Sequence, residues 1–310
     1  MLNIYRIDHI GQVVPDLEKQ VALMEGLFGF RRTRIWESPA QGCRGVLLEV
    51  PGSWGQRWEV LAPLGGDSPY QAFLDRNGAG LHHLAVQVTD LAAAKEHLNR
   101  LKVAFQDCEA WIDAAFAPPE GPAGMTFRLF APPVLATCGD DGKPRKAAEL
   151  APAAGPSLGI VTIEQVGQAY PDRDALATWC EQAVGMREVY RTKDGEHPDM
   201  ATGVLTIPGT QMRWELIAPV GDDSFVQKFI DKRGAGVAHV TFEVRDYEQA
   251  MAAAEHYKVP TINLHEGDTD GAKWRDWFIH PKYTGGFLMQ LFWEERPGVW
   301  SRSDKIPAPK

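Results

Sequence analysis

Cysteine is scarce in this chain of 310 residues: Cys43, Cys108, Cys138 and Cys180 are scattered, with no Cys-x-x-Cys pair. That pattern excludes a disulfide framework and a cysteine zinc site, and it predicts a reducing, cytoplasmic setting. Long apolar runs are also missing. None approaches the ~20 residues needed to cross a bilayer, so no membrane partner is expected. Met1 to Arg6 run straight into Asp8 and His9. No apolar stretch follows a basic start there, so no secretory leader is expected. Positive charge is outnumbered, with 32 Lys and Arg against 41 Asp and Glu and a net charge of −9. Such a chain lacks the basic surface that holds phosphate backbones, which excludes nucleic acid and leaves a small organic molecule as the expected partner. A homodimer is left open.

What is present is repetition, the first thing to look for in a chain of this length. Residues 57–88, RWEVLAPLGGDSPYQAFLDRNGAGLHHLAVQV, match 213–244, RWELIAPVGDDSFVQKFIDKRGAGVAHVTFEV, without a gap at an offset of 156 (213 − 57). The same offset joins IDHIGQVVPDLE, from Ile7, to IEQVGQAYPDRD, from Ile163. The halves are copies of one domain. Within each half a smaller unit recurs: an alternating, strand-like segment reaches an Asp, and a helical pattern follows. His9 leads to Asp16, His83 to Asp90, Gln165 to Asp172 and His239 to Asp246, seven residues each time (16 − 9). Each Asp stands where a helix N-cap is wanted. Apolar residues then recur at helical spacing: Leu17, Val21, Met24 and Phe28, then Leu91, Leu98 and Leu101. Trp179 and Val184 serve the third unit, Tyr247 and Met251 the fourth. Short β-rich runs with Gly and Pro come next, such as GVLLEVPG from Gly45 and GVLTIPG from Gly203.

The predicted fold is α+β: four βαβββ modules, near 3–64, 79–137, 158–220 and 235–295, paired into two domains at 1–137 and 158–295. Arg76 to Gly80 and Lys232 to Gly236 read as short joints. Residues 138–157 are rich in Ala, Pro and Gly and read as a linker, and 296–310 as a tail.

Four positions per half carry chemistry, each on a predicted strand. The residue seven before the first Asp cap is His9 or Gln165. The acid of the Arg-Trp-Glu segment is Glu59 or Glu215. His83 or His239 opens the second module, and Gln290 lies in FLMQLFW on the last strand of the second half. In the first half the last strand is less defined: AGMTFRLF reads as its lead-in, which leaves Thr137 or Asp141 at the ligand position. His83 is preferred to its neighbour His82, which strand alternation sends to the opposite face. A lone strand histidine is ordinarily a core residue. Imidazole and carboxylate together on repeated strands are what an octahedral divalent metal ion needs. The Arg57–Trp58 and Arg213–Trp214 pairs are read as packing, and HPKYTGG, from His280, as a turn.

These segments resemble the vicinal-oxygen-chelate superfamily over nearly the whole chain. IDHIGQVV, GAGLHHLAVQV and HPKYTGGFLMQLF look most like methylmalonyl-CoA epimerases. His9, Glu59 and His83 match the pattern of bacterial glyoxalase I, and Gln165, Glu215 and His239 that of the eukaryotic type. The resemblance implies modules curled around a divalent metal, which would be Fe, Mn, Ni, Co or Zn, with ligands from first and last strands. If modules pair within each half, the better site is His9, Glu59 and His83, with Gln165 and Glu215 in a degenerate second site. If the halves exchange modules, His9 and Glu59 join His239 and Gln290. The family's last-strand Glu, both ligand and base, is Gln290 here, and an amide is no base near neutral pH.

Three functions follow from the resemblance. The first is a metal-dependent isomerase or lyase, working on a small oxygenated metabolite through a metal-chelated enediolate. The second is a non-haem iron dioxygenase of the extradiol type, favoured by two His and one carboxylate. The third is a non-catalytic small-molecule binder like the bleomycin-resistance proteins.

Overall fold

The computed structural model describes residues 1–52, 56–108, 110–118, 121–122, 124–132, 155–193, 195–221 and 223–297. The first module runs β1 (Ile4–Val13), α1 (Leu17–Gly26), β2 (Arg31–Ser38), β3 (Cys43–Glu49) and β4 (Arg57–Pro63). A helix, α2 (Pro69–Asn77), leads to β5 (Gly80–Val88), α3 (Leu91–Arg100), β6 (Phe105–Asp107), β7 (Trp111–Ala115) and β8 (Thr126–Phe130). The second half repeats this order. Its first module has β9 (Ile160–Ala169), α4 (Arg173–Val184), β10 (Arg187–Arg191), β11 (Met200–Thr206) and β12 (Arg213–Pro219). Then come α5 (Phe225–Arg233), β13 (Gly236–Val244), α6 (Tyr247–His256), β14 (Thr261–Thr269), β15 (Ala272–Ile279) and β16 (Leu288–Glu294).

The four Asp caps stand as the spacing predicts. Asp16 accepts from Lys19 N, Asp90 from Ala92 N and Ala93 N, Asp172 from Asp174 N and Ala175 N, and Asp246 from Gln249 N. Each bond satisfies amides that the first helical turn leaves free. Leu17, Val21 and Met24 form the buried stripe of α1, and Phe28 is buried just past its end. The segments before Gly80 and Gly236 differ from expectation. They hold α2 and α5, so Arg76 and Lys232 belong to last helical turns rather than to short joints. Ser68 and Ser224 cap these helices, and Gly78 and Gly234, at positive φ, end them. Each helix spans nine residues, too short for the hydrophobic period to stand out.

Each half is one mixed eight-stranded sheet, ordered β2-β3-β4-β1-β5-β8-β7-β6 and β10-β11-β12-β9-β13-β16-β15-β14. Inside a module the first and last strands are parallel, and β1 meets β5, like β9 and β13, antiparallel. Modules therefore pair within each half. The exchanged arrangement, which would set His239 and Gln290 beside His9, is not the one adopted.

The halves share one core. Trp58 is fully buried, with its ring 5.9 Å from Phe242 and 5.0 Å from Phe287 of the other half. Trp214 repeats this with Phe127 at 5.6 Å and Phe116 at 5.0 Å. Each indole N–H needs an acceptor when buried, and each finds a glutamine on the neighbouring strand. Trp58 donates to Gln12 Oε1 at 3.0 Å and Trp214 to Gln168 Oε1 at 2.8 Å. The glutamine amides reach across to the other half: Gln12 Nε2 to the carbonyls of Thr284 (3.0 Å) and Gly285 (2.8 Å), and Gln168 Nε2 to that of Phe116 (3.2 Å). The Trp of each Arg-Trp pair is thus packing, as read. HPKYTGG is a turn, Pro281–Tyr283, whose following carbonyls dock the first half. Among the described residues no helix is long and apolar enough to cross a membrane.

Candidate metal centre and ligand cavity

His9, Glu59 and His83 converge in the first half. β1 and β4 run parallel, with His9 beside Arg57 and Gly11 beside Glu59, and β5 sets His83 opposite Gly11. Gly11 is required: a Cβ there would overlap the His83 ring, as one on Gly167 would overlap His239. His9 Nε2 lies 3.3 Å from His83 Nε2 and 3.5 Å from Glu59 Oε2, and His83 Nε2 lies 3.4 Å from Glu59 Oε2. Three donors held about 2.0–2.2 Å from one ion are separated by about 3.0–3.5 Å at octahedral or tetrahedral angles. Both Glu59 carboxylate oxygens are buried without a hydrogen-bond donor among the described residues. A buried carboxylate in that state calls for a cation. Geometry and donor chemistry therefore both fit a divalent metal.

The surroundings orient these side chains. His9 Nδ1 contacts Asp8 Oδ1 at 2.8 Å, which leaves Nε2 turned to the cluster. Arg57 and Arg6 pair with the same carboxylate, the latter at 2.7 Å. Burial alone would raise Asp8, but the His9 bond and the charges of His9, Arg57 and Arg6 outweigh it and hold the carboxyl well below its ordinary range. Burial likewise opposes charge on His9, yet Glu59 and Asp8 overcome it and raise that imidazole. His83 is pushed well down by burial and by the charges of Arg128, His82 and His9.

Two expectations are corrected here. His82 does not face away. Gly11 pairs with His83 and Gln12 with Leu81, so His82 is the extra residue of a β-bulge. A bulge breaks strict alternation and re-aims a side chain. The His82 ring sits against Tyr70 and Phe73 of α2 and contacts His83 Nδ1 at 3.0 Å. Burial, reinforced by Arg128, lowers its pKa to about 4. The second correction concerns the last strand. AGMTFRLF is not a lead-in but includes β8 itself. β8 pairs Arg128 with Ala85, as β16 pairs Gln290 with Thr241, 156 residues after Ala85 (241 − 85). Arg128 therefore holds the fourth-ligand position. Thr137 and Asp141 lie outside the described residues. Arg128 is buried, bonded by Nε and Nη2 to both oxygens of Asp113 at 2.9 Å, and set 4.9 Å from the Trp111 ring.

The second half brings Gln165, Glu215, His239 and Gln290 onto one cavity. Gln165 Nε2 donates to Glu215 Oε2 at 3.2 Å, and His239 Nε2 meets the same oxygen at 2.9 Å. Gln290 turns elsewhere, accepting from Thr241 at 2.8 Å and donating to Asp276 Oδ1 at 3.3 Å. Among the described residues only the first half assembles three His, Cys, Asp or Glu ligand atoms this closely. Asp8, Arg128, Asp276 and His265 were missed in the sequence. The acid before His9 recurs as Glu164 and is a legible signal, whereas Arg128 needed the strand register.

The halves also differ in access. His9, Glu59 and His83 have no exposed surface. A cavity of about 530 Å³ beside them is lined by His82, Thr126, Arg128, Asp113 and Tyr70 rather than by the triad. The second cavity measures about 710 Å³ and reaches Gln165, Glu215 and His239. Smaller side chains open it: Ala169 for Val13, Val226 for Tyr70, Ala238 for His82 and Gln290 for Arg128.

Paired βαβββ modules with a His/Glu cluster drawn from first and last strands define the class of protein. The family model described as Glyoxalase/Bleomycin resistance protein/Dioxygenase superfamily matches residues 8–116 and 164–278. The chain belongs to that superfamily. The mitochondrial methylmalonyl-CoA epimerase of Mus musculus is 32% identical over 114 residues, 36% of this chain and 62% of the relative. The Homo sapiens enzyme of the same name is 32% identical over 117 residues, covering 37% and 65%. The matches thus span less than two thirds of these relatives' length. A triple mutant of 4-hydroxymandelate synthase from Streptomyces coelicolor has the same fold, with a TM-score of 0.69, 16% identity and 98% of both chains covered.

Proposed function

We propose that this chain is a divalent-metal enzyme whose metal is held in the first half by His9, Glu59 and His83, and that it acts on a small oxygenated metabolite by isomerase or lyase chemistry. The observation that carries this reading is the triangle of buried donor atoms, 3.3–3.5 Å on a side, with both Glu59 oxygens lacking a hydrogen-bond donor among the described residues. A bound divalent ion polarises a carbonyl and acidifies the adjacent C–H. The chain's own residues do the rest. Asp8 fixes the tautomer of His9. If Nε2 of His83 held the ion, its Nδ1 would carry the proton and donate to His82 Nδ1, 3.0 Å away, and His82 would keep its own proton on Nε2. His82 lies between triad and cavity and stays neutral near pH 7. Arg128 neither ligates nor accepts a proton, so both tasks of the family's last-strand carboxylate are lost. Glutathione-dependent glyoxalase I turnover is accordingly not expected.

One observation favours a second reading. With Arg128 at the fourth position, the ligand set is two His and one carboxylate, the set that non-haem iron oxygenases use. Metal analysis of the purified protein, then substrate screening with and without oxygen, separates the two. Zn, Ni, Co or Mn with oxygen-independent turnover supports the first. Iron with substrate-dependent oxygen uptake supports the second. Absence of stoichiometric metal, or fast turnover of the methylglyoxal–glutathione hemithioacetal, overturns the proposal.

A further inference from the structure

The half without the metal triad carries the larger of the two described cavities, and the permanently charged groups on its lining are all acidic. Glu215, Asp276 and Asp199 line it beside three imidazoles, His197, His239 and His265, and among its described lining residues there is no lysine or arginine. The first-half cavity, by contrast, contains the Arg128 guanidinium. Two of the lining carboxylates are half-used. Glu215 takes Gln165 and His239 on Oε2, and Asp276 takes His265 (3.1 Å) and Gln290 on Oδ1. In each group the other oxygen receives no bond from the described residues. The remaining walls are apolar and aromatic, with Phe229, Phe278 and Trp274 around Ile217 and Leu288, and the half-exposed Phe225 also on the lining.

We propose that this second-half cavity is a separate binding site for an organic cation: a flat, largely apolar amine or quaternary ammonium compound. Its rings lie against Phe229, Phe278 and Trp274, and its charge meets Glu215 and Asp276. Three physical terms select this class. Transfer of a flat hydrocarbon body from water onto aromatic walls is favourable. A cation there gains charge-assisted bonds to the two free carboxylate oxygens and attraction to ring faces. A ligand bearing a carboxylate or phosphate would face like charges in a partly desolvated space with no lysine or arginine among the described lining residues, and with His239 and His265 already turned to Glu215 and Asp276. The site does not depend on the first-half metal, because none of its lining residues belongs to that triad. Loss of ligands at Gln165 and Gln290 thus accompanies a change of use. The same concavity that encloses the first-half triad is here emptied by Ala169, Val226 and Ala238.

The test uses the full chain with its metal and three probes of one shape: naphthylmethylammonium, naphthylmethanol and naphthoate, titrated calorimetrically. The expected result is one ammonium ion bound per chain, at least about tenfold tighter than the alcohol, with no heat from naphthoate. Refilling the cavity with the residues of the other half, V226Y with A238H, should abolish binding and leave metal content unchanged. E215Q, which keeps the shape, should reduce the ammonium preference to that of the alcohol and is readable if the double variant does not fold. Equal or tighter binding of naphthoate, binding retained by a folded V226Y/A238H variant, or no binding of any probe would overturn the proposal.

Discussion

Arg128 and Gln290 occupy one register position: each pairs with the third residue of the segment that His83 or His239 begins, Ala85 or Thr241. A guanidinium in the first half thus stands where an amide stands in the second. Its two bonds to Asp113 fix it in the lining of the cavity beside the triad.

Removing that guanidinium should therefore be costly. Arg128→Ala strips a buried ion pair from Asp113 and should destabilise the fold by about 2–4 kcal/mol, the lower side of the range for breaking such pairs because Asp113 keeps some exposure. The double variant R128M/D113L should recover most of that loss. Urea denaturation of the three proteins gives the comparison, and equal stability of Arg128→Ala and wild type would show that the Asp113 pair does not hold the fold.

His83 rests on the bare backbone of Gly11. Gly11→Ala leaves all three donors in place yet should displace the ring and reduce bound metal as severely as Glu59→Ala does. Metal stripping of wild type should lower the melting temperature, since free ion at about a hundredfold excess over its Kd contributes ~2.7 kcal/mol. The same stripping should leave either variant's melting point unchanged. Full metal occupancy in Gly11→Ala would refute the arrangement.

The glutamine brackets tie the halves together. Gln12→Ala leaves the Trp58 N–H without its acceptor and the carbonyls of Thr284 and Gly285 without this donor. Each unmatched buried group costs about 1–3 kcal/mol. Gln12→Ala and Gln168→Ala should both lower the chemical midpoint while unfolding stays one cooperative transition, because the apolar core is still shared. A transition split in two would show that the brackets, not the aromatic contacts, couple the halves.

Acidity leaves a mark on the second half. Burial raises Glu164 to about 7, further raised by Glu243 and Glu294 against the opposing Arg213. Burial, with the charge of Glu294, raises Glu243 to about 7 as well. The native state therefore holds protons that the unfolded chain, near 4.5, has released. Their stabilising contribution is complete below pH 4.5 and is lost as pH rises through about 7. Glu243→Gln should flatten the decline in stability across that window relative to wild type. Parallel stability curves for the two proteins would contradict the raised values.

Local chemistry made much of this legible in advance. An Asp cap followed by a 3.6-residue period announces a helix wherever it occurs, and four equal spacings exposed four modules without any knowledge of their contacts. His9, Glu59 and His83 were readable for the same reason: an ionisable residue in an apolar strand needs a partner, and the repeat aligned the candidates. α2 and α5 escaped because nine-residue helices with a single fully buried side chain each have almost no period. His82 escaped because a bulge is a two-strand event, visible only when Gly11 and Gln12 find their partners across the sheet.

The sequence by itself determined the modules, their duplication and the side-chain types of the candidate centre, since capping and alternation act within a few residues of the chain. Only the tertiary structure decided which modules pair, that Arg128 takes the last-strand position, and that the triad is buried beside its cavity while the corresponding residues of the second half line theirs. Those outcomes depend on strand register and on the side-chain volumes that meet across each sheet, such as His82 against Ala238 and Tyr70 against Val226. Neither quantity is a property of any one stretch of sequence.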